Sequence, residues 1–554
     1  MKRALVWTAA GLALAAAAGA VAWSHRLDLL VLAASLKQPP VAASHPVAWA
    51  DGPAAPLSPA GKRPPNVVFI LADDLGFNDI TLNGGGVAHG AVPTPNIDSL
   101  SRDGVTFANG YAGNATCAPS RAAIMTGRYA TRFGFEFTPT PVVFSKVVGS
   151  FHTEGALRDN HFVAAEAHNA PADDAAEALP ASEITIARML HGQGYHTVHL
   201  GKWHLGGSPG ARPEQQGFDE SLGFMAGASK YLPDRDPGVE NSKQGFDPID
   251  KVLWGILPFA VQYNGQPAFH PKAYMTDYLT DQAVSVIHNN RNRPFFLYLA
   301  YNAPHTPLQA TKADYDALPQ IKDHRLRVYG AMVRSLDRNI GRVLAQLKAE
   351  GLADDTLVIF TSDNGGANYV GLPEINRPYR GWKATFFEGG VHVPFFMRWP
   401  ARIPAGSHYQ QPVAHVDIFA TAAGAAGAAL PSDRVIDGVD LIPFISGQKT
   451  GAPHKALYWR SGRYKVILAD GWKLQTLPEP DKTWLFNLRD DPTEQHDLAA
   501  ARPDKVAELR ARLAALDGQM VKPLWPSLLQ DAVAIDHPLG AKDKASDAYI
   551  YWDN

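Results

Sequence analysis

Two kinds of hydrophobic pattern alternate along much of the chain, and together they predict an α/β fold. Short strand-like runs are separated by segments with apolar positions at helical spacing. The apolar runs are typical of strands buried on both faces of a sheet. Strands are predicted at 66–71, 196–200, 295–301 and 356–361. Helices are predicted at 97–102 with Asn96 as N-cap, from Ser182 to 192 or 194, at 275–289 and at 325–350. This alternation indicates right-handed βαβ units and a mostly parallel sheet flanked by helices.

The pattern changes after about residue 450, where short strand-like segments follow one another closely. A small antiparallel sheet is predicted from the segments 456–459, 464–469, 472–477 and 483–487. A charged segment near 503–516 predicts a helix that packs on this sheet, whereas the tail from 518 has no usable periodicity. An insertion around 135–180 is expected to shape the mouth of a substrate site.

We therefore divide the chain into three parts. They are a leader with a linker (1–64), a main α/β domain (65–450) and a C-terminal α+β subdomain with its tail (451–554).

The N-terminal segment has the composition of an export signal. Lys2 and Arg3 precede residues 4–23, which contain no charged side chain and are half alanine, and residues 18–20 offer a small-x-small cleavage site. A linker rich in Pro and Ala follows at 39–65. A cleaved signal peptide and an uncleaved membrane anchor both remain open. In either case we expect the protein outside the cytoplasm, in the periplasm if the cell has two membranes.

Composition excludes several classes of protein. The chain has 554 residues, of which 46% are hydrophobic and 19% are charged, so a large core is expected and a mostly disordered chain is not. The net charge is −3 and no run of Lys and Arg stands out, which gives no indication of nucleic-acid binding. Cys117 is the single cysteine, which excludes an internal disulfide and a cysteine-based zinc site.

Two pairs of oxygen donors follow two of the predicted strands. Asp73 and Asp74 come after the strand at 66–71, and Asp363 and Asn364 come after the strand at 356–361. Either pair alone would fit a turn or a helix cap. Because ligands bind at the carboxyl ends of parallel strands, both pairs at such ends indicate a site for a hard divalent cation, Ca²⁺ or Mg²⁺.

Cationic groups and a nucleophile are predicted at the same edge of the sheet. Lys202 and His204 follow the strand at 196–200, and His305 follows the strand at 295–301. Cys117 opens a predicted helix, where the helix dipole and free N–H groups favour an anion, and Arg121 lies one turn further on. This combination indicates an anion-binding nucleophile and the transfer of a sulfuryl or phosphoryl group.

At these residues the chain resembles a known family. Residues 115–128, Ala-Thr-Cys-Ala-Pro-Ser-Arg-Ala-Ala-Ile-Met-Thr-Gly-Arg, resemble the formylglycine signature of the type I sulfatases, which have an alkaline phosphatase-like fold. Residues 194–206 resemble their second signature. Further similar segments occur in the same order at 73–76, 303–306, 362–365, 381–383 and 485–494. The resemblance therefore spans roughly residues 65–500.

The resemblance implies a mechanism for sulfate ester hydrolysis. A separate formylglycine-generating enzyme would oxidise Cys117 to an aldehyde, whose hydrate attacks sulfur with one hydroxyl and expels sulfate after deprotonation of the other. One calcium ion would be held by Asp73, Asp74, Asp363, Asn364 and the modified residue 117. The remaining implied roles are support of the aldehyde by Arg121, sulfate contact by Lys202, His204 and Lys383, acceptance of the hydrate proton by His204, and protonation of the departing oxygen by His305 with Lys383.

Three alternatives to a sulfatase remain at this point. A phosphodiesterase or phosphonate monoester hydrolase of the same superfamily would use the same nucleophile on a tetrahedral anion of similar size. A catalytically dead binding protein would be expected to lack some of the ligands and acids that are present here. A plain cysteine hydrolase lacks the support of a known local Cys-His-Asn pattern. Aryl, sugar and sterol sulfates all remain possible substrates.

Overall fold

The computed structural model describes residues 29, 31–32, 35–36, 38–59, 62–150, 158–171 and 176–554. Its strands are β1 (Asn66–Asp73), β2 (Val105–Phe107), β3 (Gly110–Tyr111), β4 (His161–Phe162), β5 (His196–Lys202), β6 (Glu220–Phe224), β7 (Val239–Ser242), β8 (Gln262–Tyr263), β9 (Phe295–Pro304), β10 (Leu308–Thr311), β11 (Thr356–Ser362), β12 (Phe395–Arg398), β13 (Ser407–Tyr409), β14 (Val413–Ala414), β15 (Leu457–Ser461), β16 (Tyr464–Ala469), β17 (Trp472–Pro478), β18 (Asp481–Asn487), β19 (Leu529–Ala534) and β20 (Tyr549–Asp553).

Helices connect these strands. They are α1 (Thr81–Gly84), α2 (Val87–Gly90), α3 (Pro95–Arg102), α4 (Cys117–Thr126), α5 (Val142–Val148), α6 (Ile186–Gly192), α7 (Pro248–Ile256), α8 (Met275–Asn289), α9 (Lys312–Asp316), α10 (His324–Ala349), α11 (Glu388–Val391), α12 (Asp417–Ala426), α13 (Ile442–Ile445) and α14 (Pro503–Asp517). Short 3₁₀ turns lie at Phe77–Asp79, Ala130–Arg132, Pro213–Gln215 and Asn368–Val370.

A nine-stranded sheet forms the centre of the fold, in the order β13-β2-β12-β11-β1-β9-β5-β6-β8. The five strands from β11 to β6 run parallel, and antiparallel pairs join them to their outer neighbours. The register places Phe69 of β1 between Ile359 of β11 and Tyr298 of β9. The prediction of a mostly parallel, helix-flanked α/β sheet is therefore confirmed.

Alternate side chains of β1 enter two different cores, because successive residues of a strand point to opposite faces. Val68 and Ile70 pack with side chains of α8 and α10 on one face of the sheet. Val67 and Phe69 pack with side chains of α4, α6 and α12 on the other face. Every residue of β1 is buried, which accounts for its nearly continuous apolar run.

Helix starts and strand ends differ from the sequence predictions. Helix α3 begins at Pro95, not at Ile97, and Asn96 is not its N-cap, because the Asn96 backbone and side-chain amides both donate to Asp337 at 3.0 and 2.7 Å. Helix α6 begins at Ile186, not at 182, because the hydroxyl of Thr185 caps it by accepting from the Arg188 N–H at 3.1 Å. Strands β5 and β9 run two and three residues beyond their predicted ends at 200 and 301.

The C-terminal region forms the predicted antiparallel sheet. Strands β15 to β18 pair in sequence order, and α14 packs against them. Their core is continuous with side chains of the main domain, including Tyr111 and Phe386, which cluster with Tyr464 and Leu485. The division at residue 450 therefore lies within one hydrophobic cluster, and as a domain boundary it stays a prediction.

The tail and the insertion meet in a second small sheet that the sequence pattern did not indicate. Strand β19 pairs with β20 and also with β4, which belongs to the insertion. Val148 of α5 packs on Leu529 beneath this sheet. The predicted signal or anchor at 4–23 lies outside the described residues, and among those that are described no helix is long and apolar enough to cross a membrane.

Candidate active site

The two acidic pairs meet because the strands that carry them are neighbours. The register pairs Ala72 of β1 with Ser362 of β11, so the residues that follow lie side by side. The Asp74 N–H donates to the Asp363 carboxylate at 3.2 Å, and the Asn364 side-chain amide donates to Asp74 at 2.7 Å. All four predicted oxygen-donor residues, including Asp73, are buried.

Each of the three buried carboxylates has a cation of its own. Lys202, at the end of β5, donates to both oxygens of Asp73 at 2.9 and 2.8 Å. The Arg121 guanidinium donates twice to one oxygen of Asp363, from Nε at 2.9 Å and from Nη2 at 2.8 Å. Burial of carboxylates is costly unless they are paired, and these ion pairs meet that requirement.

Lys383 is the cation of Asp74 and also contacts the candidate nucleophile. Its ammonium donates to both oxygens of Asp74 at 2.8 and 2.9 Å and to the Cys117 sulfur at 3.0 Å. Burial alone would raise the pKa of Asp74, but Lys383 and His305 outweigh it and hold that pKa below its usual range.

Cys117 is the first residue of α4, as predicted, and its side chain is 3% exposed. Thr116 before it is extended, so the sulfur lies at the positive end of the helix, 3.8 Å from an oxygen of Asp74. Burial opposes ionisation of the thiol, but Lys202 and Lys383 outweigh it and lower the pKa of Cys117 to about 7. The position favours an anion at residue 117.

The two histidines have opposite protonation preferences. His305 has Nδ1 2.6 Å from the Thr306 carbonyl oxygen, and its Nε2 lies 3.6 Å from Asp74. Burial opposes the charge of His305, but the carboxylates of Asp73 and Asp74 outweigh it and raise its pKa. Burial, and after it the charges of Lys202 and Arg121, hold the pKa of His204 well below its usual range. A protonated His305 can donate a proton, and a neutral His204 can accept one.

The donor set fits a hard divalent cation. Ligand atoms of Asp73, Asp74, Cys117 and His305 all lie within 4.8 Å of one another. The side-chain oxygen of Asn364 is buried and has no hydrogen-bond partner, although its amide nitrogen is bonded. A buried acceptor without a donor is costly unless a ligand satisfies it, and a cation beside the carboxylates would do so.

The structure brings together all the residues that the sequence predicted for the site: Asp73, Asp74, Cys117, Arg121, Lys202, His204, His305, Asp363, Asn364 and Lys383. Their individual roles stay predictions. Sequence reasoning missed Tyr369, whose hydroxyl donates to Asp74 at 2.7 Å and lies 3.0 Å from Lys383. Its position five residues after the Asp363-Asn364 pair was the available signal, since it belongs to the same loop.

Comparison with protein families gives two matches. A family model described as Sulfatase matches residues 65–428, and one described as N-sulphoglucosamine sulphohydrolase, C-terminal, matches residues 380–519. Among curated proteins, the chain is 30% identical over 511 residues to an uncharacterized sulfatase, YdeN, of Escherichia coli (strain K12), covering 83% of this chain and 78% of that protein. It is 32% identical over 507 residues to the N-acetylgalactosamine-6-sulfatase of Homo sapiens, covering 84% and 87%.

Solved structures have the same architecture. Ps i-CgsB, crystallised in complex with k-i-k-neocarrahexaose, superposes with a TM-score of 0.69 at 31% identity, covering 84% of this chain and 95% of that one. A phosphonate monoester hydrolase, SpPMH from Silicibacter pomeroyi, superposes with a TM-score of 0.57 at 19% identity, covering 83% of this chain and 96% of that one. The second similarity concerns the fold alone.

Proposed function

The chain belongs to the sulfatase family, which hydrolyses sulfate esters, and we propose that it acts on sulfated saccharides through a formylglycine made from Cys117 and one bound calcium ion. The observation that carries the proposal is the placement of the Cys117 sulfur at the start of α4, 3.0 Å from Lys383 and beside three buried carboxylates. This arrangement suits a nucleophile that transfers an anionic group.

Calcium would be held by the side chains of Asp73, Asp74, Asp363, Asn364 and residue 117. When bound, it would stabilise negative charge on the group being transferred. The unpartnered Asn364 oxygen supports this assignment, and the all-oxygen character of the first four donors favours Ca²⁺ or Mg²⁺ over a softer metal.

Side chains of the protein would bind the sulfate and transfer the protons of the reaction. Lys202 has a buried ammonium group and Lys383 a partly buried one, and both can bind sulfate oxygens. Arg121 keeps Asp363 and the start of α4 in place. Neutral His204 is suited to accept a proton from the oxidised residue 117. His305, whose pKa is raised by Asp73 and Asp74 against burial, is suited to protonate the departing alcohol oxygen.

A saccharide substrate is supported by the named relatives. One of them is a sulfatase of N-acetylgalactosamine 6-sulfate, and the similar solved structure holds a carrahexaose. We also propose that the protein is exported, on the strength of the uncharged stretch at 4–23, and that a formylglycine-generating enzyme acts on Cys117 during maturation.

The experiment combines peptide mass spectrometry with assays on one preparation, made in a host that has the modifying enzyme. The peptide that contains Cys117 should have lost the thiol and gained an aldehyde. The substrates to be assayed are 4-nitrophenyl sulfate, N-acetylgalactosamine 6-sulfate, sulfated carrageenan oligosaccharides and bis(4-nitrophenyl) phosphate. We expect sulfate release from at least one sulfated saccharide, and no activity in Cys117→Ala.

Two outcomes would contradict the proposal. High activity in a preparation whose Cys117 is wholly unmodified would exclude the formylglycine mechanism. A clear preference for bis(4-nitrophenyl) phosphate over every sulfate would instead favour a phosphodiesterase or phosphonate monoester hydrolase of the same fold.

A further inference from the structure

Tyr369 contacts three groups of the candidate site at once. Its hydroxyl donates to Asp74 at 2.7 Å and accepts from the Lys383 ammonium at 3.0 Å. The same hydroxyl lies 3.5 Å from Nε2 of His305. Lys383 and His305 are the two candidate donors of the proton that the departing alcohol needs. One phenol hydroxyl therefore joins both candidate acids to a predicted metal ligand.

The ring of Tyr369 presents its hydroxyl end to both candidate acids. The His305 ring packs edge-on against it, with ring centroids 6.4 Å apart and an interplanar angle of 65°. The Lys383 ammonium lies 5.5 Å from the ring centroid but 3.0 Å from the hydroxyl oxygen, so it lies beyond the hydroxyl end of the ring and not over its face. Both candidate acids therefore approach Tyr369 at its hydroxyl, which connects them.

The backbone around Tyr369 is held on both sides. It lies in the 3₁₀ turn Asn368–Val370, which Gly371 ends in a left-handed conformation with φ of 72°. The Leu539 N–H of the tail donates to the Asn368 carbonyl at 3.1 Å. The Arg325 guanidinium donates to the Gly371 carbonyl at 3.0 Å. A phenol on such a braced turn can hold the ammonium at the end of the long Lys383 side chain in a defined position.

We propose that Tyr369 is a positioning residue, which holds His305 and Lys383 in the arrangement needed to protonate the departing oxygen. The inference rests on the proposed function. Without the hydroxyl, Lys383 loses one of its partners and His305 loses its neighbour, so both can move away from the leaving group. Small displacements of reacting groups have large effects on rate.

The experiment compares Tyr369→Phe with wild-type protein on 4-nitrophenyl sulfate and phenyl sulfate. Phenol is a poorer leaving group than nitrophenol and needs more of the proton in the transition state. Loss of a hydrogen bond to a charged group should lower kcat on phenyl sulfate about tenfold. On 4-nitrophenyl sulfate kcat should fall by no more than about twofold, and KM should change by less than about twofold on both substrates.

Tyr458→Phe is the matched control. Its hydroxyl also donates to a carboxylate, Asp517, at 2.7 Å, but it belongs to the C-terminal sheet. Tyr458→Phe should change neither rate, because the hydroxyl that it removes contacts Asp517 and no residue of the candidate site. His305→Ala is the positive control for a selective loss on phenyl sulfate. If Tyr369→Phe does not fold, Tyr369→Leu, which lacks both ring and hydroxyl, should show the same selectivity.

Equal losses on both substrates, or unchanged rates on both, would overturn the positioning role while leaving the sulfatase activity of the wild type intact. Absence of hydrolysis of both substrates by wild-type protein with formylglycine at residue 117 would instead contradict the proposed function, and the present inference with it.

Discussion

At the scale of single residues, the site is a set of buried ion pairs. The same residues also have predicted roles in binding the metal, binding sulfate or supporting residue 117. Asp73, Asp74 and Asp363 are each matched by a cation at 2.8 or 2.9 Å. A divalent cation bound to the three carboxylates would neutralise part of their negative charge. The carboxylates would then hold Lys202 and Lys383 less strongly, and the lysines could bind sulfate.

The calcium assignment is tested by Asp363→Asn, which keeps the shape of the side chain but removes its charge. We expect less than stoichiometric calcium by atomic emission, and a loss of activity of about 10²–10³-fold or more. Wild-type protein should be stabilised by calcium, by about 2.7 kcal/mol at a concentration of 100 Kd, and the variant should not. Thermal unfolding with and without a chelator gives this second readout.

Asp314→Asn is the control for the calcium experiment. Asp314 is also a buried carboxylate, paired with Arg334 at 2.6 Å, but it lies at α9, outside the candidate site. Its substitution should leave the calcium content unchanged. Full calcium occupancy and full activity in Asp363→Asn would refute the ligand assignment.

At the scale of elements, the C-terminal tail braces the loops that carry Lys383 and Tyr369. We call residues 535–540 the strap. The Ile535 carbonyl accepts from the Trp382 indole at 3.0 Å, and Asp536 accepts from the Arg380 guanidinium at 2.8 Å. Together with the bond from Leu539 to the turn of Tyr369, these contacts place the strap against both loops. The strap should therefore influence catalysis without contacting the substrate.

Asp536→Ala should lower kcat by a few fold, because it frees Arg380, three residues before Lys383. The pair is partly exposed, so the variant should lose no more than about 1 kcal/mol of unfolding free energy. Glu479→Ala is the control: it breaks an exposed pair with Arg463, 2.7 Å in length, in the C-terminal sheet. Steady-state kinetics and urea unfolding measure the two effects. If both variants have the same kcat, the strap does not position the loop.

At the scale of the whole molecule, a buried ion cluster joins the C-terminal sheet to the main domain. Lys473 of β17 is 0% exposed and bonds Glu388 of α11 at 2.7 Å and Glu494 at 3.0 Å. Glu388 in turn accepts from His392 and Tyr111. Burial and the neighbouring Glu388 raise the pKa of Glu494 to about 7. Each buried charge is stable only when its partners lie beside it, so the cluster favours one relative position of the two regions.

Lys473→Met should lower the free energy of unfolding by about 3–5 kcal/mol, because it leaves two glutamates buried without their cation. Lys312→Met is the matched control: Lys312 is exposed, and its pair with Asp316, also 2.7 Å, is a surface salt bridge whose loss should leave the free energy of unfolding nearly unchanged. Urea unfolding of both variants measures the difference. A loss below about 1 kcal/mol for Lys473→Met would show that the cluster does not hold the two regions together.

The sequence by itself determined four adjacent parallel strands of the central sheet, β1, β5, β9 and β11, and the chemical composition of the site. Apolar runs specify buried strands, and parallel strands end at one edge, so residues that follow different strands, such as Asp73 and Asp363, were expected to meet. The signature around Cys117 added the candidate nucleophile and the family. These features depend on local patterns, which a single sequence displays directly.

Only the tertiary structure decided which of these groups are partners and what surrounds them. Tyr369 lies in a loop without periodicity, and its proposed role follows from contacts with Asp74, Lys383 and His305, which lie 295, 14 and 64 residues away along the chain. The sheet of β4, β19 and β20 likewise arises from short segments that become strands by pairing with one another. Such short segments leave no pattern in the sequence, because their backbone hydrogen bonds and their burial depend on partners in other parts of the chain, which for β19 include β4, more than 300 residues away.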